Sequence, residues 1–150
     1  MAVRTYKLYG DSATELLYED PYLLMDDGLD APFGAVDRFA IELGVAADDP
    51  RRVEAGILFE LTYNLSAGHS FLPEKKLAAA TAQLLSVEEE TVREGMTRLR
   101  EADKLVTDTL TEIPVAYLPE LYGAETFCCR ALTAAAALHF PAPAGLDRKI

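Results

Sequence analysis

Asp49-Pro50-Arg51-Arg52-Val53-Glu54-Ala55-Gly56-Ile57-Leu58-Phe59-Glu60-Leu61-Thr62-Tyr63-Asn64-Leu65 is the stretch on which the fold turns, and Ser66-Ala67-Gly68-His69-Ser70-Phe71-Leu72-Pro73 closes it. It reads as one helix. Asp49 is a capping residue, Pro50 suits the first turn, and Val53, Ile57, Leu61 and Leu65 recur every fourth residue. Ile57, Leu58, Phe59 and Tyr63 widen that apolar face until only Glu54, Glu60 and Asn64 remain as a polar strip, the pattern of a helix packed on several sides. Gly68 ends it.

Downstream, Ser70-Phe71-Leu72 reads as a very short strand, and Pro73 opens a helix whose apolar face is Leu77, Ala80, Thr81 and Leu84. Ser86 with Glu89 three residues on forms a capping box for the next helix, Val87 to Ala102, which buries Val92, Met96 and Leu99. From Lys104 the period shortens to two. Leu105 to Thr109 and Val115 to Leu118 read as strands joined by a turn through Glu112 and Pro114, too short a connection for anything but an antiparallel hairpin. Pro119 opens a last helix from Glu120 to about His139, apolar over most of its circumference, in which Cys128 and Cys129 are small helix residues, one of them buried.

Upstream, Ala2 to Tyr9 is helical, Gly10-Asp11 ends it, and Ser12 or Asp11 caps a second short helix through Leu17, giving a helical hairpin. Tyr22-Leu23-Leu24-Met25 is a short apolar turn, and Asp26 to Gly34 is a loop rich in breakers. Ala35 to Leu43 returns to helix with Val36, Phe39, Ala40 and Leu43 on one face, and Gly44 stops it.

Half of the 150 residues are apolar, enough for a sizeable core, and the net charge of -11 repels nucleic acid and acidic membranes from the chain as a whole. The excess is uneven. The first 50 residues set eleven acids against Arg4, Lys7 and Arg38, whereas the central region is nearly balanced. No basic segment followed by an apolar run opens the chain, and Phe127 to Phe140 is short of a membrane span, so a reducing cytoplasm and no membrane partner are expected.

The order helix, strand, helix, helix, strand, strand from Arg51 to Leu118 is that of a winged helix, in which the second helix of the pair enters the major groove. That helix carries Arg93, Thr97, Arg100 and, just past its end, Lys104, and the preceding helix opens with Lys75 and Lys76. These six are the candidate DNA-binding residues. Glu89, Glu90, Glu94 and Glu101 crowd the same surface, so a solvated face of mixed charge is the competing reading.

Asp48-Asp49-Pro50-Arg51-Arg52-Val53-Glu54-Ala55-Gly56-Ile57-Leu58, then Gly68-His69-Ser70-Phe71-Leu72-Pro73, then Tyr117-Leu118-Pro119-Glu120-Leu121-Tyr122-Gly123-Ala124-Glu125 resemble the N-terminal region of RecD-like (RecD/TraA type) DNA helicases, in order and spacing. Ala2 to Asp11 and Glu19 to Leu24 are similar to the helix-hairpin-helix portion that precedes it there. The resemblance implies an accessory, non-motor fragment of an ATP-dependent 5′ to 3′ helicase of DNA unwinding, repair or recombination. Its partners would be the motor domains of the same chain and single-stranded or forked DNA, and its ATP and magnesium would belong to the motor. No Gly-x-x-x-x-Gly-Lys-Ser/Thr loop occurs here, so no ATP hydrolysis is expected of the segment alone. Where the family hairpin is glycine-rich and able to hold a phosphate, this chain has Leu29-Asp30-Ala31-Pro32-Phe33-Gly34. Pro32 removes a donor and Asp26, Asp27 and Asp30 repel, which leaves the hairpin a role in packing or in contact with another protein domain.

The expected architecture is mainly α. A helix-hairpin-helix-like subdomain (1–48) leads to a winged-helix-like subdomain with a small antiparallel hairpin (49–119), a C-terminal packing helix (120–140) and a linker (141–150). No catalytic, cofactor or metal site is expected. His69 closes a helix end, two distant histidines without a Cys-x-x-Cys pair make no zinc site, and Glu88-Glu89-Glu90 marks a helix N-terminus. The alternative function is an acidic helical protein-interaction module without direct DNA contact, supported by the acidic first third and the apolar last helix.

Overall fold

A computed structural model describes residues 2–25, 29 and 31–138. Helix α1 (Ala2–Tyr9) and helix α2 (Ala13–Glu19) flank a 3-10 turn at Gly10–Ser12, and a second 3-10 turn spans Pro21–Met25. Then follow α3 (Phe33–Glu42), α4 (Pro50–Leu65), β1 (Phe71–Pro73), α5 (Glu74–Leu85), α6 (Glu89–Glu101), β2 (Val106–Leu110), β3 (Ile113–Tyr117) and α7 (Pro119–Ala137). The fold is mainly α with one small antiparallel sheet, as the sequence implied.

Helix α4 is the centre of the molecule. The Asp49 carboxylate accepts the Arg51 backbone N–H at 2.9 Å, and the Arg51 side chain clasps the same carboxylate, which holds Asp49 below the usual carboxylate range. Val53, Ile57 and Leu61 are buried against α5 and α6, where Leu77, Leu85, Val92, Met96 and Leu99 complete the core. At the far end Gly68 takes a positive φ of 86°, and the His69 backbone N–H, rather than its exposed side chain, closes on the Asn64 carbonyl at 3.1 Å.

The sheet runs in the order β1-β3-β2, both pairs antiparallel, with Phe71 opposite Tyr117 and Leu110 opposite Ile113. The turn is Thr111-Glu112, both at positive φ (50° and 69°), the backbone of a two-residue hairpin normally filled by Asn-Gly. Pro114 therefore lies inside β3 rather than in the turn. It is tolerated because β1 reaches only to Val115, which leaves the proline nitrogen on an unpaired stretch of edge. Ala116 faces the core, whereas Tyr117 turns to the other face, where its ring lies tilted against Phe71 and edge-to-face with Tyr122, centroids 5.3 Å away in each case.

Several local expectations are corrected. Ser86 adopts the left-handed conformation (φ 56°) and ends α5, so the capping box fails: α6 starts at Glu89 after Glu88, and Glu89 pairs with Arg93 instead. In the alanine-rich α5 the buried face is Leu77, Ala78, Thr81, Ala82 and Leu85, while Leu84 is exposed. Helix α2 continues to Glu19 with no side-chain cap from Ser12, and Asp11 accepts the Tyr6 hydroxyl instead. Helix α3 begins at Phe33, and Phe39 is part-exposed, at 38 %, rather than in the core. No residue of α7 is buried and both cysteines are exposed, because only its first turns touch the sheet: Tyr122 donates to Asp108 at 3.2 Å and Glu125 accepts from Ser70. His139 and the linker at 141–150 lie outside the described residues.

One buried cluster fastens the N-terminal helices to α4. Arg52, to which the sequence assigned no role, is only 6 % exposed. Its Nε and Nη2 donate to the two Asp37 oxygens at 2.8 and 3.0 Å, and its Nη1 donates to the carbonyls of Ala47 and Leu85 at 2.7 and 3.1 Å. The Tyr22 hydroxyl donates to the same Asp37 oxygen at 2.7 Å. Burial, and then the bond to Asp37, push the Tyr22 phenol well above its ordinary value. The folded state thus holds that proton more tightly than the unfolded chain does. Its contribution is whole below about pH 10 and is lost as pH rises past that value. Tyr22→Phe is expected to cost about 1.5–3 kcal/mol at neutral pH, the range for a hydrogen bond to a charged group. A urea-unfolding series at rising pH should show the alkaline loss in the wild type and a smaller one in the variant.

Candidate nucleic-acid interface

Helix α6 is placed by its apolar side. Val92, Met96 and Leu99 are buried, and Gly95 lets α6 approach α4 so closely that an added Cβ would lie 2.8 Å from Val53 Cγ1 and 3.0 Å from Ile57 Cδ1. Its opposite face is therefore presented outward, with Arg93, Thr97 and Arg100 along it. Those three form a ladder: Thr97 Oγ1 donates to the Arg93 carbonyl at 3.1 Å and accepts from Arg100 Nη2 at 2.9 Å.

The ladder is not an unopposed basic stripe. Arg93 is held by Glu89 at 2.6 Å and by Glu90 at 3.0 Å, which leaves its guanidinium largely neutralised. Arg100 lies 3.9 Å from Glu74, a contact that brings the first turn of α5, with the exposed Lys75 and Lys76, beside the end of α6. Lys104 sits apart from the rest. It follows a left-handed Asp103, and its side chain lines a cleft of about 420 Å³ between α4 and the Pro21–Met25 turn, together with Phe33 and Phe59. The structure thus gathers Lys75, Lys76, Arg93, Thr97 and Arg100 on one side and separates Lys104 from them.

The hairpin that would serve as the wing brings no cation. Between Leu105 and Leu118 there is neither lysine nor arginine, and its tip exposes Leu110 and Ile113 beside Glu112. Among the described residues no three His, Cys, Asp or Glu side chains converge as a metal site.

Residues 1–71 match the family described as the ATP-dependent RecD2 DNA helicase HHH domain. The RecD-like resemblance is borne out. The match covers the N-terminal helices and runs through α4 to the first residue of β1. Within this matched region Leu29, Ala31 and Phe33 are packed inward, at 3 %, 8 % and 5 % exposure, and Phe33 stacks on Phe59 with ring centroids 4.8 Å away. Asp26, Asp27, Gly28 and Asp30 lie outside the described residues. Arg52 is the residue of the RecD-like region that sequence reasoning missed. Its only signal was its place beside Val53 on the face that meets the core, and nothing marked Asp37 as its partner.

Proposed function

We propose that this chain is a non-motor accessory module of a RecD-like 5′ to 3′ DNA helicase, serving DNA unwinding in repair or recombination. In this reading it positions the motor, and it touches the DNA backbone weakly through Lys75, Lys76 and Arg100. The ATP and magnesium of the reaction belong to motor domains encoded outside these residues, and the working compartment is the cytoplasm. The observation that supports the reading is the RecD2 match over residues 1–71, which runs into the helix on which α5 and α6 pack. Of the described residues, no helix is long and apolar enough to cross a membrane.

The test is a fluorescence anisotropy titration with single-stranded and forked DNA over a salt series. Weak, salt-sensitive binding is expected. Lys75→Glu combined with Lys76→Glu should flatten the log-log salt slope by about 1.4 on single strands, where each phosphate contact contributes about 0.7. Arg93→Ala should leave that slope unchanged, because its charge is already spent on two carboxylates. Absence of salt-dependent binding would overturn the DNA contact. It would favour the second reading, an acidic protein-interaction module, for which the cation-free hairpin speaks.

A further inference from the structure

Among the described residues two surfaces are left uncovered by any other element, and they complement each other. The first is a groove along the outward side of α4. Arg51, Glu54, Leu58, Phe59 and Thr62 recur at helical spacing along its floor, and Leu23 and Phe33 form one wall. From Arg51 to Thr62 the groove runs about 16 Å at the helical rise. The second is the far part of α7, Phe127 to Leu138, in which Phe127 is 73 %, Leu132 70 % and Leu138 61 % exposed and Arg130 is the only charged residue. Its length is about 18 Å. Phe127, Ala131, Ala134 and Leu138 fall at spacings of four, three and four, one apolar face with Arg130 at its flank.

We propose that α7 of one copy docks into the α4 groove of a second copy, as a helix in a groove. Length and apolar character match, and so does charge. Asp20 on the groove suits Arg130 of the incoming helix, whereas Glu54 is already held by Arg98 at 2.8 Å. Lys104, which has no ion pair among the described residues, suits the carbonyl end of that helix. A second copy is favoured because both halves of the fit lie on the same chain, while among the described residues the side-chain hydrogen bonds of α7 to other elements reach Ser70 and Asp108 from its first turns. One three-turn helix is small beside the roughly 1,200 Å² that a stable interface needs, so the stable form is the reciprocal dimer, in which each copy gives a helix and receives one. The proposal is independent of any DNA contact.

Sedimentation velocity of the chain over a roughly hundredfold concentration range tests it. A concentration-dependent dimer is expected. Phe127→Glu on the helix and Thr62→Arg in the groove alter exposed side chains, and either should abolish the dimer while the circular dichroism of the monomer is retained. Mixing the two variants should restore a complex, because one intact helix still meets one intact groove. A chain that stays monomeric throughout would overturn the proposal. So would a dimer lost in Phe127→Glu but intact in Thr62→Arg, since that result means the two α7 helices pair with each other.

Discussion

Asp37→Ala is expected to destabilise the protein by about 3–5 kcal/mol, because it strands the Arg52 guanidinium in the interior without its counter-charge. The pair is bidentate, with side chains only 7 % and 14 % exposed, so solvent cannot take over the work of the lost carboxylate. Tyr22 loses its acceptor in the same step. For a chain of this length the loss corresponds to a fall in melting temperature of roughly 10 °C, read by calorimetry or by circular dichroism. Arg93→Ala is the control. Its pairs with Glu89 and Glu90 are exposed, and removing them should cost less than about 1 kcal/mol. Replacing both buried partners, Asp37→Leu with Arg52→Met, should recover part of the loss, since two apolar groups leave no charge unpaired. A small effect of Asp37→Ala alone would mean that the cluster does not hold the N-terminal helices to α4.

Gly95→Leu should be comparably damaging. The site has no room for even one carbon, since Val53 and Ile57 lie within 3.0 Å of an ideal Cβ and both are fully buried. Overpacking of this kind costs about 1–3 kcal/mol, and a four-carbon side chain belongs at or above the top of that range. Denaturant unfolding would show a lowered midpoint, and α6 would tilt, taking the Arg93, Thr97 and Arg100 ladder with it. Gly56→Ala provides the contrast. There the obstacle is the end of the Leu85 side chain, which can rotate, and the gain of about 1 kcal/mol from replacing glycine in a helix offsets much of the crowding. If Gly95→Ala and Gly56→Ala proved equally mild, the close approach of α6 to α4 would be wrong.

The elements with strong local signals were legible in the sequence. Asp49, Pro50 and the four-residue apolar repeat specify α4 completely, and the short strand at Phe71 and the antiparallel hairpin follow from periodicity. What failed depended on contacts between distant residues. In α5 the run Ala78-Ala79-Ala80 can present several faces to the core, so Leu84 and Leu85 could not be ranked. Ser86 and Glu89 have the spacing of a capping box, but the left-handed turn that the α5 and α6 packing requires takes Ser86 out of position. Apolar composition in α7 implied burial, yet nothing in the described fold covers it. The candidate interface was half legible. The arginine ladder could be placed on one face, but the carboxylates that occupy Arg93 and the displacement of Lys104 into a cleft only emerge in three dimensions.

Helix α4 has a consequence for how this architecture could be inherited. The recognisable family region ends at the first residue of β1, whose partner strand arrives more than forty positions later, and its longest helix supplies the floor on which α5 and α6 rest. Such a region is no cassette for shuffling between genes. Transplanted alone it would carry a bare greasy flank into its new host, so the two halves should travel and diverge together.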